Sequence, residues 1–231
     1  MKNGFIRKIY TDQSLKRINI KIKQMGKTKW NAISFQNVRI ITTFIVAIFV
    51  LYITNLGYVF GPIAGIVWYY LFYYIFLEVP VEKRGRKLNK EALDFFEILT
   101  LTLESGRNLE NAIEIAALNV HSELSDEFKK SLIEVKLGKS LMEALDDMKA
   151  RIPSETINNI ILNITQTEVF GNNILETMYN QIDFLREKEI LEIKGQINKI
   201  PNKISIISVL FILPLILLII LGPYLIQFLN N

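Results

Sequence analysis

The side chains of this chain that could do chemistry are nearly all carboxylates and amines. There is one imidazole, His121, and no thiol among the 231 residues. Without cysteine, neither a disulfide framework nor a thiolate-bound zinc can form. A lone histidine removes most metal and acid–base chemistry built on imidazole. No phosphate-cradling glycine loop and no nucleophile motif occurs. The Asp and Glu residues of the helical repeats fall on polar faces, where solvation accounts for them. No catalytic residue, cofactor or metal site is expected, and His121, between two helical runs, reads as an exposed loop histidine. The charged residues offer recognition instead. One group, Glu104, Arg107, Asn108 and Glu110, and another, Asp146, Asp147, Lys149 and Arg151, stand at breaks between helical runs. Apolar stripes are consumed by packing, so a partner protein must grip polar surfaces of this kind. Charged rims chiefly set encounter rate and specificity.

Both groups lie in the stretch 88–199, which the chain is organised around. Its periodicity predicts six amphipathic helices. The first covers about 89–105, with Ala92, Leu93, Phe96, Leu99 and Leu103 on one stripe. The second opens on Asn108 as N-cap, and the third opens near Ser122 or Ser125. The fourth opens on a capping box, Ser140 with Glu143 three residues on. Pro153 separates it from the fifth, about 154–170, with Ile157, Ile160, Ile161 and Ile164 in one stripe. The sixth starts at Asn172 or Asn173, buries Met178, Ile182 and Leu185, and runs on toward Lys199 as a charged stalk. Gly106, Gly138 and Gly171 each follow a helical run, where a left-handed C′ residue is expected.

Membrane is expected on both sides of this stretch. Half of the chain is apolar, concentrated in three runs: 40–56, 58–77 and 204–228. Each approaches the roughly 20 residues that a span needs. The first two form a hairpin turning near Asn55-Leu56-Gly57. Gly61 and Gly65 have the spacing that lets a second helix approach closely. The third carries Pro214 and Pro223, which predict kinks with freed carbonyls. Residues 1–39 hold ten Lys and Arg against the single acid Asp12, whereas 204–231 hold no charge. The positive-inside rule therefore puts the N-terminus and the helical region in the cytoplasm and the C-terminus outside. The N-terminal arm lacks a signal-peptide layout. Its interleaved apolar and basic residues read either as a helix on anionic lipid or, the preferred reading, as a solvated topogenic arm. The domain plan is a basic arm (1–38), a transmembrane hairpin (39–77), a helical domain (78–203) and a third span (204–229). The fold class is all-α, an integral membrane protein with three transmembrane helices and a cytoplasmic six-helix bundle.

Several of these runs resemble one family. Glu104-Ser105-Gly106-Arg107-Asn108-Leu109-Glu110-Asn111-Ala112-Ile113 is similar to the first helix–turn–helix of the type II secretion system F domain. Gly138-Lys139-Ser140-Leu141-Met142-Glu143-Ala144-Leu145 resembles its later Gly-x-Ser-Leu-x-Glu-Ala-Leu motif, and Gly171-Asn172-Asn173 stands where the family has a third glycine turn. There Glu168 is followed by Val169 and Phe170 rather than by small residues, a looser fit. The tail from Pro201-Asn202-Lys203 through Pro214 to Leu221-Gly222-Pro223 resembles the last span of Tad (tight adherence) pilus platform proteins of the TadC-like branch. The resemblance covers roughly 88–225. It implies an inner-membrane assembly platform for a Tad or type IV pilus, or for a related secretion machine. The implied partners are a hexameric secretion ATPase, a TadB-like paralogue, pilin or pseudopilin subunits and the lipid bilayer, in a homo- or hetero-oligomer and without nucleic acid. The competing reading of the same architecture is a membrane-anchored helical scaffold or sensor that binds a soluble regulator and needs no ATPase.

Overall fold

The computed structural model describes residues 12–26, 30–54, 56–170 and 173–229. Among them every regular element is a helix. The chain divides into two units, Met1–Ile182 and Asp183–Asn231.

The described part of the first unit begins with α1 (Asp12–Gln24), α2 (Ala32–Ile53) and α3 (Gly57–Tyr73). The α2–α3 hairpin turns between Ile53 and Gly57, as expected, and Pro62 lies inside α3. Gly57, Gly61 and Gly65 are all buried against α2. A Cβ at Gly57 would stand 2.5 Å from the Leu51 carbonyl oxygen, and one at Gly61 would stand 2.9 Å from Leu51 Cγ. The helix admitted by the Gly61/Gly65 spacing is thus the other arm of the same hairpin. The absent side chains let the two backbones close up where lipid supplies no hydrophobic driving force.

After α3 one π-helical stretch, Tyr74–Glu78, leads directly into α4 (Val79–Glu104). The first bundle helix therefore starts at Val79, ten residues before the expected Asn89, and is continuous with the second span. Pro80 lies inside this continuous run and has no amide to bond a carbonyl of the preceding turn, and the departure from α geometry falls just before it, in the π-helical stretch. Gly57–Glu104 is one helical run of 48 residues.

The bundle continues with α5 (Leu109–Asn119), α6 (Glu123–Lys136), α7 (Leu141–Arg151) and α8 (Glu155–Phe170). Its centre is an aromatic cluster. Phe95 of α4 stacks on Phe128 of α6 with centroids 4.2 Å apart, and Phe96 meets Phe128 edge-on at 6.2 Å. Ile157, Ile160, Ile161 and Ile164 are buried along α8 as the stripe predicted. Burying each such side chain contributes about 1.5–3 kcal/mol. The boundary between the units falls within α9 (Ile174–Ile197), whose Met178 and Ile182 are buried.

The second unit also holds α10 (Lys199–Leu229). The break before it falls at Asn198, beside the Lys199 toward which the charged stalk is expected to run, because Pro201 has no amide to bond the Ile197 carbonyl. The helix runs on through Pro214 and Pro223. The segments Ala32–Ile53, Ile204–Leu221 and the apolar start of Gly57–Glu104 are long and apolar enough to cross a membrane.

Two further corrections concern the N-terminal side. The solvated arm gives way, over its described part, to a packed helix: Ile18 and Ile22 of α1 are buried with Phe35, Phe72 and Leu77. The first span also starts earlier than its apolar run, so α2 includes Arg39, which is 6% exposed. Its guanidinium carbon lies 3.4 Å from the Tyr69 ring centroid, and its Nε donates to the Tyr69 carbonyl at 2.9 Å.

Candidate docking surfaces and the charge network behind them

The α4–α5 turn is built from local rules. The Gly106 amide bonds the Leu103 carbonyl at 3.0 Å, and Gly106 takes φ +81°. No atom lies within 4 Å of where its Cβ would be, so the left-handed backbone alone requires glycine. Asn108 caps α5, its Oδ1 accepting the Asn111 amide at 2.9 Å. Glu104, Arg107, Asn108 and Glu110 all stand exposed, as the sequence predicts. Among the described residues no ion pair forms at Glu104, Arg107 or Glu110, although Glu110 attracts Lys136 from a distance.

The α6–α7 turn is a full Schellman motif. Gly138, at φ +102°, donates to the Val135 carbonyl at 2.8 Å, and Lys139 donates to the Glu134 carbonyl at 3.2 Å. The capping box follows: Ser140 Oγ accepts the Glu143 amide, and Glu143 Oε2 accepts the Ser140 amide, both at 3.2 Å. Gly171 lies outside the described residues, while α9 opens with Asn173 Oδ1 accepting the Leu175 amide at 3.2 Å.

The second polar group is divided by this geometry. Asp146 and Asp147 are exposed. Asp146 pairs with Lys149 at 2.6 Å, and Lys139 hydrogen-bonds Asp147, holding its carboxyl below the usual range. A groove of about 800 Å³ runs beside them between α7 and α8, lined by Met142, Glu143, Thr165 and Val169 among others. Arg151, expected at the surface with them, is turned inward. Its Nη1 reaches Glu134 at 2.9 Å, its Nε reaches Glu127 at 3.2 Å, and its Nη2 donates to Ser131 Oγ at 3.0 Å.

Arg151 belongs to a network that the sequence reading did not anticipate. Its hub is Arg84 of α4, 7% exposed. Arg84 Nη2 meets Glu127 Oε1 at 2.9 Å and Nε meets Glu123 Oε1 at 2.6 Å. Nη1 donates to the Gln24 and Arg151 carbonyls, each at 2.8 Å. The guanidinium thus joins the ends of α1 and α7 to two turns of α6, using its planar fork of donors. Glu127, 2% exposed, also receives Lys130 at 2.6 Å. Part of Glu123 is buried, which favours its neutral form, but its bonds to Arg84 and Lys87 outweigh burial and lower its pKa. Next to the hub, Gly85 lets α4 approach the α7–α8 connection: its Cβ would stand 2.2 Å from the Pro153 carbonyl oxygen.

Two signals for this network were present in the sequence. Gly85 interrupts a helical run, which marks a close backbone approach. Glu127 follows Leu124 by three residues and precedes Phe128, so it borders the buried stripe of α6. Inside the run Lys83-Arg84-Gly85-Arg86-Lys87, however, Arg84 is indistinguishable from its topogenic neighbours. Among the described residues no cluster of three or more His, Cys, Asp or Glu is arranged to hold a metal.

One comparison with known proteins is informative. The family model described as "Type II secretion system (T2SS), protein F" matches residues 95–222, more than half of the chain. The matched region runs from the middle of α4, through the Gly106 and Gly138 turns, to Gly222 of α10. No curated protein and no solved structure matches the chain.

Proposed function

Since this chain belongs to the type II secretion system protein F family, we propose that it is the inner-membrane assembly platform of a type II secretion or type IV pilus machine. The observation that carries this reading is the match over 95–222, which takes in most of the helical bundle and the span after it. Three helices long enough to cross a bilayer support a membrane location. Within the family, the likeness of the Pro201-to-Pro223 tail to Tad platform proteins favours the Tad branch, with a TadB-like paralogue and pilin subunits as partners.

The role is mechanical rather than catalytic. A hexameric ATPase engages exposed polar turns of the bundle, and its motion reaches the spans. The continuous helix 57–104 suits such transmission, because it has no loop at which displacement is absorbed. The bundle and the N-terminal side face the cytoplasm and the end of α10 faces outward, as the distribution of Lys and Arg favours.

The test of docking reverses charge where the side chains are exposed or half-buried and outside the Arg84 network: Arg107→Glu with Lys149→Glu. The protein is expected to remain folded and inserted while filament assembly is lost. Normal assembly by the folded double variant removes this docking surface, and assembly that persists after deletion of 88–199 removes the platform reading. Orientation is tested in this cysteine-free chain with His121→Cys and Asn231→Cys. An impermeant thiol reagent on intact cells is expected to label 231 and spare 121, and the opposite pattern overturns the topology.

A further inference from the structure

We propose that α1 is a membrane-surface anchor whose outer face binds the anionic headgroups of phospholipids in the leaflet on the bundle's side. This rests on the insertion of the α2–α3 hairpin and is independent of any ATPase.

Three observations place α1 at headgroup level. Its inner face, Ile18 and Ile22, is buried against Phe35 near the start of α2, Phe72 near the end of α3 and Leu77 in the π-helical turn, so it clasps both spans at one end. Lys21 pairs with Glu78, the first charge after the apolar run that ends at Leu77. Trp30 is partly exposed just before α2 begins, and tryptophan's amphipathic ring favours the membrane–water boundary. A helix is about 10–12 Å across, and the headgroup layer occupies the outer few ångströms of each leaflet. An element touching the hydrocarbon ends of two spans therefore lies within reach of that layer.

The chemistry of the outer face fits anionic lipid. Lys16, Arg17 and Lys23 are exposed around Ile20, itself 42% exposed. Lys16, Ile20 and Lys23 share one face at spacings of four and three. The chain has no acidic residue between Gln13 and Leu77, and Glu78 is taken by Lys21. Lys23 also lies within electrostatic reach of Asp147, leaving Lys16 and Arg17 as the principal ligands. The apolar face of α1 is taken up by the spans, so its attraction to acidic lipid is electrostatic, set by each Lys or Arg near the surface, with Ile20 adding a small apolar contact.

The experiment uses the full chain, purified and reconstituted into vesicles of phosphatidylcholine mixed with phosphatidylglycerol. A fluorophore is attached through Ile20→Cys, and quenching is compared between nitroxide-labelled phosphatidylglycerol and nitroxide-labelled phosphatidylcholine. A label at Ile66→Cys on the exposed face of α3 reports insertion. At position 20 the anionic lipid is expected to be favoured about fivefold at low salt, with the preference collapsing as salt rises. Lys16→Gln with Arg17→Gln is expected to abolish it, and Lys16→Arg to retain it. The salt titration uses the unaltered charges and is decisive even if a variant folds poorly. Equal quenching by the two lipids, or none at position 20, overturns the proposal and leaves the face to solvent or to a protein. A preference that survives the double Gln variant also overturns it. Absence of quenching at position 66 overturns the insertion of the hairpin as well.

Discussion

At the α4–α5 turn, Glu104, Arg107 and Glu110 stand in water and form no ion pair among the described residues. At the end of α7 a group of similar composition is divided, with Asp146 and Asp147 outside and Arg151 locked onto Glu127 and Glu134. The side chains differ little; what backs them differs entirely. Behind the first turn is the end of one helix and the start of the next, so its charges have nothing to meet but solvent or a partner. Behind the second are the buried carboxylate of Glu127, the Arg84 hub and the end of α1. The same residue types thus serve recognition at one place and cohesion at the other.

The largest effect that would sharpen this contrast is expected from Glu127→Ala. It takes the buried carboxylate from Arg84 and Arg151, which keep Glu123 and Glu134, and removing one partner of a buried ion pair costs up to about 5 kcal/mol. Denaturation of the full chain in mild detergent measures it, and a loss below 1 kcal/mol would put the network on a par with surface pairs.

Gly85→Ala is expected to rank next. The new methyl meets a backbone oxygen, so α4 and the Pro153 segment must separate, at about 1–3 kcal/mol. A double mutant with Glu127→Ala then checks coupling, and additive losses would mean that the close approach and the network act independently.

A smaller effect is expected from acid. Glu123 has its pKa lowered in the folded protein, so its contribution is fully present above the unfolded carboxylate pKa of about 4.3. The contribution is lost as pH falls through the lowered folded value. Stability measured from pH 6 downward should fall less steeply in Glu123→Gln than in the parent, and parallel curves would show that Glu123 is not linked to folding.

The smallest effect on stability belongs to the other region. Glu104→Lys and Arg107→Glu are expected to change unfolding free energy by no more than about 0.5 kcal/mol, as exposed substitutions usually do. A loss comparable to that of Glu127→Ala would erase the distinction between the two regions.

The sequence by itself determined the features that depend on neighbours along the chain. Apolar length marked the three spans, and the 3.6-residue period marked the six bundle helices. Side-chain caps at Asn108 and Ser140, with left-handed glycines at Gly106 and Gly138, marked the breaks, while the choice between Ser122 and Ser125 fell to the structure. Each of these signals acts within a few residues, because a cap bonds amides in its own first turn and a glycine relieves strain at its own φ. Only the tertiary structure decided what distant segments do to one another. It turned α1 from a solvated arm into a packed helix, carried the second span through the π-helical turn into the bundle, and tied half-buried Arg151 to Glu127 and Glu134. It also selected Arg84 from a run of five residues, four of them basic, to be the hub. The physical reason is that a helical period states which face a charge occupies but not what lies opposite. Whether that charge meets water or a carboxylate depends on a residue dozens of positions away.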